Sequence, residues 1–527
     1  MKTWNYFMCA SAATLLLASC QKHPESVSKK VLKLNFSKIP PTLDPRKGGD
    51  PVSSTFQFML FEGLTAMTPE STSSLSLADD VKISEDYKTY VFHIKEAYWS
   101  NGARVLASDF EKSWKDMLSP NFPCPNSPLL YPIKNAALAK AGLVPLDLVG
   151  VYAADDSTLK VELENPTPYF LELTSFCALF PVYHQEPDEP LEFSNKDIIT
   201  NGAFRLSKYQ PGYEMVLEKN PTFYKADEVN LDQITVSFVT DETTAFHLFE
   251  NKEIDILGGF YCDIPIDVVH DLQKHNAIET VAIGSTTFCA FNMDKFPFTN
   301  RNIRKAFCLA MNRHEIVSHI LQAGETIAQG CIPPFMKNMA PKPAEETTHL
   351  AKEYFDKGLQ ELKLSSATFP KITLTLANSA IRSRVALALQ EQLQKTLSIN
   401  IQLEPLDLKV YLDKINSKNH QFALCTSVIQ YNDISNILER FKYKNNPKNF
   451  SSWEDPKFIS YLDQSSNTGE FDERLRFFEA AEKQMIEEAP ISPLYHSNLT
   501  YIKQKEIKGF YVSPIGSMHV NYINIED

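Results

Sequence analysis

Glycine is scarce, at 17 of 527 residues. Phosphate-cradling loops need several glycines at fixed spacing. Neither G-x-G-x-x-G nor G-x-x-x-x-G-K-[ST] occurs, so nucleotide binding is not expected. Positive charge is also in short supply. The chain carries 52 Lys and Arg against 65 Asp and Glu, a formal net charge of −13, and no basic stripe with interleaved aromatics. Phosphate contacts need clustered cations, so nucleic acid is not an expected partner. The acidity fits a cationic or zwitterionic ligand, and equally well plain solubility. No C-x-x-C pair is present, which leaves zinc and thioredoxin-like chemistry without a signature. The 12 His form no H-x-H or H-x-x-x-H cluster, and there is no G-x-S-x-G elbow. Nothing assembles a nucleophile, a base and an oxyanion site. The expectation is a protein with no catalytic residue, no metal and no cofactor.

What is present begins at the first residues. Lys2 precedes an apolar stretch from Tyr6 to Ala18. That stretch is shorter than the roughly 20 residues a spanning helix needs, and it reads as a signal peptide over residues 1–19. It ends in Leu17-Ala18-Ser19-Cys20, which resembles the bacterial lipobox. The resemblance implies cleavage before Cys20 and acylation of its thiol. The alternative is an ordinary signal peptide in which Cys20 is incidental. Residues 20–30 are polar, lack a period and read as a tether. No later segment stays apolar long enough to span a bilayer. The rest is expected to stand off a membrane, exported to the periplasm or cell envelope.

Apolar residues make up 43% of the chain, with 34 Phe and 21 Tyr. That is enough for real cores, and the length suggests several domains of roughly 100–200 residues each. Nine Cys occur. Setting aside Cys9 and Cys20 leaves Cys124, Cys177, Cys262, Cys289, Cys308, Cys331 and Cys425, an odd number that cannot all pair within one chain.

The hydrophobic pattern is mixed α/β. Ile372, Leu374 and Leu376 alternate with polar residues, which predicts a strand. Val385, Leu389, Leu393 and Leu397 recur every four residues, which predicts a helix. Ile399, Ile401 and Leu403 alternate again. Asp407 is placed to cap a short helix carrying Val410, Tyr411 and Ile415. Phe422–Ile429 is a nearly continuous apolar run, as in a strand buried on both faces. Such an alternation implies a parallel sheet with right-handed crossovers. Open sheets of this kind bind ligands beyond the carboxyl ends of their strands, which draws attention to Gln430-Tyr431-Asn432-Asp433. Elsewhere Tyr90, Phe92 and Ile94 predict a strand, as do residues 214–218 and 234–239. Ile303, Ala306, Phe307 and Ala310 predict a helix. Asn312 and Glu315 suggest a capping box for the next one, with Gly324 as its stop. His314-Glu315-Ile316-Val317-Ser318-His319 superficially suggests a zinc protease. Its histidines are five apart, roughly 140° around a regular helix, so one ion is out of their joint reach.

Several short segments, taken in order, resemble the family 5 extracellular solute-binding proteins, the oligopeptide-, dipeptide- and nickel-binding proteins of ABC importers. They are Leu43-Asp44-Pro45, Phe61-Glu62-Gly63-Leu64 and Trp99-Ser100-Asn101-Gly102, then Asn201-Gly202-Ala203-Phe204 and Asn220-Pro221-Thr222-Phe223-Tyr224. Glu253-Ile254-Asp255-Ile256, Phe291-Asn292, Pro297-Phe298 and Arg304-Lys305-Ala306 complete the series. The resemblance implies an α/β, two-lobed periplasmic-binding-protein fold with a third subdomain. Lobe I is expected at 31–61, 178–285 and 491–527, the additional subdomain at 62–177, and lobe II at 286–490. It also implies a monomer that closes on an oligopeptide or peptide-like ligand and delivers it to ABC permease and ATPase subunits.

One segment departs from the family pattern. Peptide-binding relatives carry W-x-x-D-Y after the buried strand, and the Asp pairs with the peptide's α-ammonium. Here the stretch is Ser427-Val428-Ile429-Gln430-Tyr431. Ser427 stands for the Trp and Gln430 for the acid. Asp433 is a candidate substitute, and a solvated or capping residue is the alternative. Ser427, Gln430, Tyr431, Asn432 and Asp433 are therefore the expected ligand-binding residues. Phe288, Cys289, Asp50 and Pro51 are carried over by alignment. A non-peptide solute such as a nickel chelate or haem, or an adhesin or scaffold role, remain alternatives.

Overall fold

Two strands of thirteen residues, Glu279–Phe291 and Ile491–Lys503, organise the chain. They come from a computed structural model that describes residues 29–68, 72–184, 198–259, 261–337 and 348–526. Cys20 and the signal segment lie outside these residues. The two strands run antiparallel, and their register breaks between Ala282 and Thr286. Before the break, Glu279–Ala282 pair with Tyr501–Asn498; after it, Thr286–Ala290 pair with His496–Ile491. One sheet path is thereby divided into two halves that, among the described residues, share only this strand pair.

The first half continues outward through Ile256–Gly258, Val31–Asn35, Gln233–Ser237, Glu214–Lys219 and Phe204–Gln210. The second continues through Phe422–Val428, Ile372–Ala377 and Ile401–Leu406. Ile372–Ala377 lies parallel to both of its neighbours, as the alternation predicts. The run Phe422–Cys425 is buried on both faces. Phe422 and Leu424 enter one apolar core, while Ala423 and Cys425 enter the other. Phe291 stacks on Phe422 at 5.2 Å, which fixes the register of the two strands within the core of the second half.

A separate four-stranded antiparallel sheet is built from Ala78–Ile83, Thr89–Ile94, Thr158–Glu162 and Val151–Ala153. Tyr90, Phe92 and Ile94 are buried as their alternation requires. The helix Ala107–Leu118 covers them with Phe110, Trp114 and Met117.

The short segments that run in order through the sequence meet in space. The Asn201 amide bonds both the N–H and the carbonyl of Glu62, at 3.0 and 3.2 Å. The Gly202 N–H donates to the Leu60 carbonyl, and the Asn220 amide donates to the Gly202 carbonyl. A Cβ at Gly202 would lie 2.6 Å from the Phe61 nitrogen, so the close approach requires glycine. Arg304 is buried and donates to the backbone carbonyls of Phe298, Thr299, Glu488 and Ala489.

Some local expectations differ from the structure. Asp407 precedes the helix Leu408–Asn416 but makes no capping bond, and Val410 on that helix is exposed. Asn312 caps through the Glu315 N–H, yet Gln392 takes both the Asn312 N–H and the Glu315 carboxylate, so the reciprocal half of the box does not form. Gln322, not Gly324, is the left-handed residue that ends this helix, at φ 56°. Ile316–Leu321 is a π-helical turn. Its wider turn bonds i to i+5, so the regular-helix spacing assumed for His314 and His319 does not hold there. Among the described residues no group of three His, Cys, Asp or Glu is placed to hold a metal.

Candidate ligand site

The strand Phe422–Val428 ends where the two halves of the sheet meet. Ser427 lies opposite Thr286 and Val428 opposite Ser285. The Ile429 N–H donates to the Gly284 carbonyl at 2.8 Å, and the Gly284 N–H donates to the Pro514 carbonyl at 2.7 Å. Gly284 is thus pinned from both halves. A Cβ on it would meet the Ile429 side chain at 2.2 Å, so this seam also depends on glycine.

The residues after the strand face the four-stranded unit. The Gln430 amide donates to Asn126 Oδ1 at 2.8 Å, and Asn126 in turn donates to the Gly48 carbonyl at 2.6 Å. Three chain segments that are remote in sequence are joined by these two bonds. Tyr431 is buried and stacks on Tyr169, with centroids 5.5 Å apart and planes 6° from parallel. Asn432 is half-buried beside them. Asp50 and Pro51 open the helix Pro51–Leu60, two residues on from Gly48, and the Asp50 carboxylate caps it by accepting from the Ser53 N–H at 2.9 Å.

Asp433 does not offer a free carboxylate. Arg474 grips it with two bonds, of 2.6 and 2.8 Å, and both side chains are largely buried. The same guanidinium lies over the rings of Tyr169 and Phe478. Asp433 also accepts from the Ser435 N–H. Its charge is already matched inside the protein, which argues against the role of ammonium partner.

Ser427 accepts a hydrogen bond from Arg440. Arg440 also donates to the Val428 carbonyl at 2.7 Å and to Asn436 Oδ1 at 2.8 Å. Burial lowers its pKa to about 10. Phe288 and Ser427 line a small cavity together with Gly284, Thr286, Cys331, Ile437 and Phe441. Its volume of about 10 Å³ is room for roughly one water. Cys289 is the adjacent strand residue and therefore points the other way, into the apolar core of the second half. Burial pushes its thiol well above the usual range. Of the expected residues, then, Ser427, Gln430, Tyr431, Phe288 and Asp433 converge at the seam, and Cys289 does not join them. Arg440, Asn126, Tyr169, Asn436 and Arg474 were not foreseen. Each sits in a stretch whose local pattern carries no functional signature.

A two-lobed periplasmic-binding-protein fold with a third domain accounts for this arrangement, and the matching sequence model is that of the bacterial extracellular solute-binding proteins, family 5 Middle, over residues 74–449. The chain belongs to this family, whose members bind solutes and are not enzymes. It is similar to the oligopeptide-binding protein OppA of Bacillus subtilis (strain 168), 31% identical with 98% of each chain covered. It is also similar to the dipeptide-binding protein DppE of the same organism, 31% identical over 94% of this chain and 92% of that one. Among solved structures, the murein tripeptide binding protein MppA of Escherichia coli superposes with a TM-score of 0.81. It is 25% identical, covering 95% of this chain and 99% of that chain.

Proposed function

We propose that this chain captures an oligopeptide or peptide-like ligand between two hinged lobes and delivers it to the permease and ATPase subunits of an ABC importer. The observation that carries the reading is the strand pair. Among the described residues two strands alone connect the halves of the main sheet, and the candidate residues cluster where the register breaks. Similarity along nearly the whole chain to relatives named for oligopeptide and dipeptide binding supports the ligand class. An extended peptide offers main-chain groups in a fixed pattern, so affinity can be combined with tolerance of side chains.

Lobe I on this reading comprises 31–61, 178–285 and the chain from about Ser497 onward, with the additional subdomain at 62–177. Lobe II runs from 286 to His496. In this proposal the last boundary is taken at 496/497 rather than the 490/491 expected from sequence, since Ile491–His496 pair with Thr286–Ala290. A hinge strand has to belong to both lobes. The cavity beside Ser427 is too small for a peptide and, Gly284 apart, is lined by lobe II, so the ligand is expected to enter between lobes that separate. Ser427, Gln430, Tyr431, Asn432 and Phe288 are proposed to line the opened cleft, with Asp50 and Pro51 on the facing lobe. The protein acts as a monomer, held to a membrane by an acylated Cys20.

Native mass spectrometry of gently purified, full-length protein, combined with small-angle scattering, tests this. The expected result is a co-purified peptide and a smaller radius of gyration when peptide is added to stripped protein. A stripped protein whose radius never changes across a broad peptide library refutes the reading. Membrane release on Cys20→Ser, with loss of acyl mass, tests the anchor.

A further inference from the structure

The charges around the end of Phe422–Val428 do not balance. Asp433 is engaged by Arg474. Glu439 is engaged by Lys442, which also reaches Asp463. Arg440 and Arg382, the latter bonded to Thr426 Oγ1 of the same strand, remain, and among the described residues no carboxylate pairs with either. Lys448 lies close enough to feel Arg440. Its pKa is lowered first by desolvation and then by the like charge of Arg440. The sequence also places the neutral Gln430, and no acid, at the head of this loop.

Arg304, Arg313 and Arg474 are finished differently, whereas the half-buried Arg382, among the described residues, donates through one terminal nitrogen to Thr426 Oγ1. Arg304 and Arg313 also lack a carboxylate at bonding distance, but each bonds oxygens through Nε and through both terminal nitrogens. Arg474 has its Nε on the Ser465 carbonyl and its two terminal nitrogens on Asp433. Arg440 bonds three neutral oxygens through its terminal nitrogens only. Its Nε donates to none of the described residues. A guanidinium carries five N–H donors in a planar fork suited to carboxylate. Arg440 is half-buried, next to Phe441 and bonded to Ser427, both of which line the seam cavity. Removing a charge from water without a partner is unfavourable, and an arriving anion offsets this.

We propose that Arg440 receives a carboxylate of the bound ligand at the end of Phe422–Val428, so that this corner of the cleft takes the anionic part of a peptide and not its ammonium. This rests on the peptide-binding reading above and gives it a polarity. Asp433 cannot reverse the sign, because Arg474 neutralises it. Arg440 is then a specificity-determining residue that touches ligand, and Ser427, Val428 and Asn436 hold its fork in place.

The test uses a mixed-sequence tetrapeptide library lacking Asp and Glu, so that the C-terminal carboxylate is its sole carboxylate. The library is made in three forms: unblocked, N-acetylated and C-amidated. Binding to the full-length protein is read by affinity selection and mass spectrometry. The acetylated form is expected to bind within threefold of the unblocked one, and the amidated form at least tenfold more weakly. In Arg440→Gln the amidation penalty should shrink to under threefold, and Arg440→Lys should keep most of it. An acetylated form tenfold weaker than the unblocked one overturns the inference, as does an amidated form that binds equally well. A penalty unchanged in Arg440→Gln also overturns it. Should Arg440→Gln fail to fold, the comparison of the three forms on the unsubstituted protein decides. If no form binds at all, the peptide reading itself falls, an outcome distinct from a preference for the ammonium.

Discussion

Replacing Asp433 by Asn distinguishes a ligand-facing carboxylate from an internal one. The carboxylate makes two bonds to Arg474, at 2.6 and 2.8 Å, with side-chain exposures of 12% and 8%. Removing one partner of a buried pair leaves the other charge uncompensated, which costs about 3–5 kcal/mol. The lower end applies here. Arg474 keeps the Ser465 carbonyl and the faces of Tyr169 and Phe478, and Asn can still accept from the Ser435 N–H. Asp433→Asn should therefore destabilise the lobe that contains it by about 3 kcal/mol. Urea-dependent hydrogen exchange of the amides in the helix Phe471–Glu488, which carries Arg474, would report this transition. A chain of several domains need not unfold in one step, so this local probe is preferable to a global one. Adding Arg474→Met should restore part of the loss, because replacing both charges removes the unpaired cation. The reasoning is refuted if Asp433→Asn changes stability by less than about 0.5 kcal/mol, the usual range of surface substitutions, while weakening unblocked peptides tenfold. That pattern would place the carboxylate on the ligand.

Three further outcomes are expected. Burial lowers His420 and His496 to about 4, below the roughly 6.5 of an unfolded histidine. The unfolded chain then binds more protons between pH 6.5 and about 4, so stability falls with acidification across that window, by at most about 1.4 kcal/mol per pH unit for each histidine. His496→Gln should flatten its share of the slope in pH-dependent urea titrations, and an unchanged slope would refute the assignment. Gly202→Ala should cost about 1–3 kcal/mol by overpacking, since its Cβ meets the Phe61 nitrogen at 2.6 Å; an unaltered melting temperature would contradict the close approach. The cysteines at 124, 177, 262, 289, 308, 331 and 425 are all free thiols, and all except Cys308 are buried. Ellman's reagent at pH 8 should titrate about one thiol or fewer in the native protein and all of them in urea, whereas several fast native thiols would refute that burial.

The parts of this fold legible in the sequence are those whose cause is local. Alternation in Ile372–Ala377, the four-residue recurrence in Ala380–Leu397 and the doubly buried run Phe422–Cys425 each report the faces of a single element. What was not legible depends on partners far along the chain. Gln430 and Asn126 are 304 residues apart, and Asp433 and Arg474 are 41 apart. Within a loop, Asp433 looks solvated or free to bind, and only packing brings an arginine onto it. Gln392 displaces the capping box for the same reason, since it approaches from another helix. The substitution at Gln430 acquires its meaning from this distinction. Losing an acid there could have been compensated by the next acid in sequence, and by sequence alone Asp433 qualifies. The tertiary pairing withdraws that acid, while among the described residues no carboxylate pairs with Arg440. On the inference drawn for Arg440, a cleft that keeps the family's strand and seam while changing the sign at its end holds the same kind of chain in a different polarity. We infer that the sign is set by which charges the fold has already paired, rather than by the residue that occupies the aligned position.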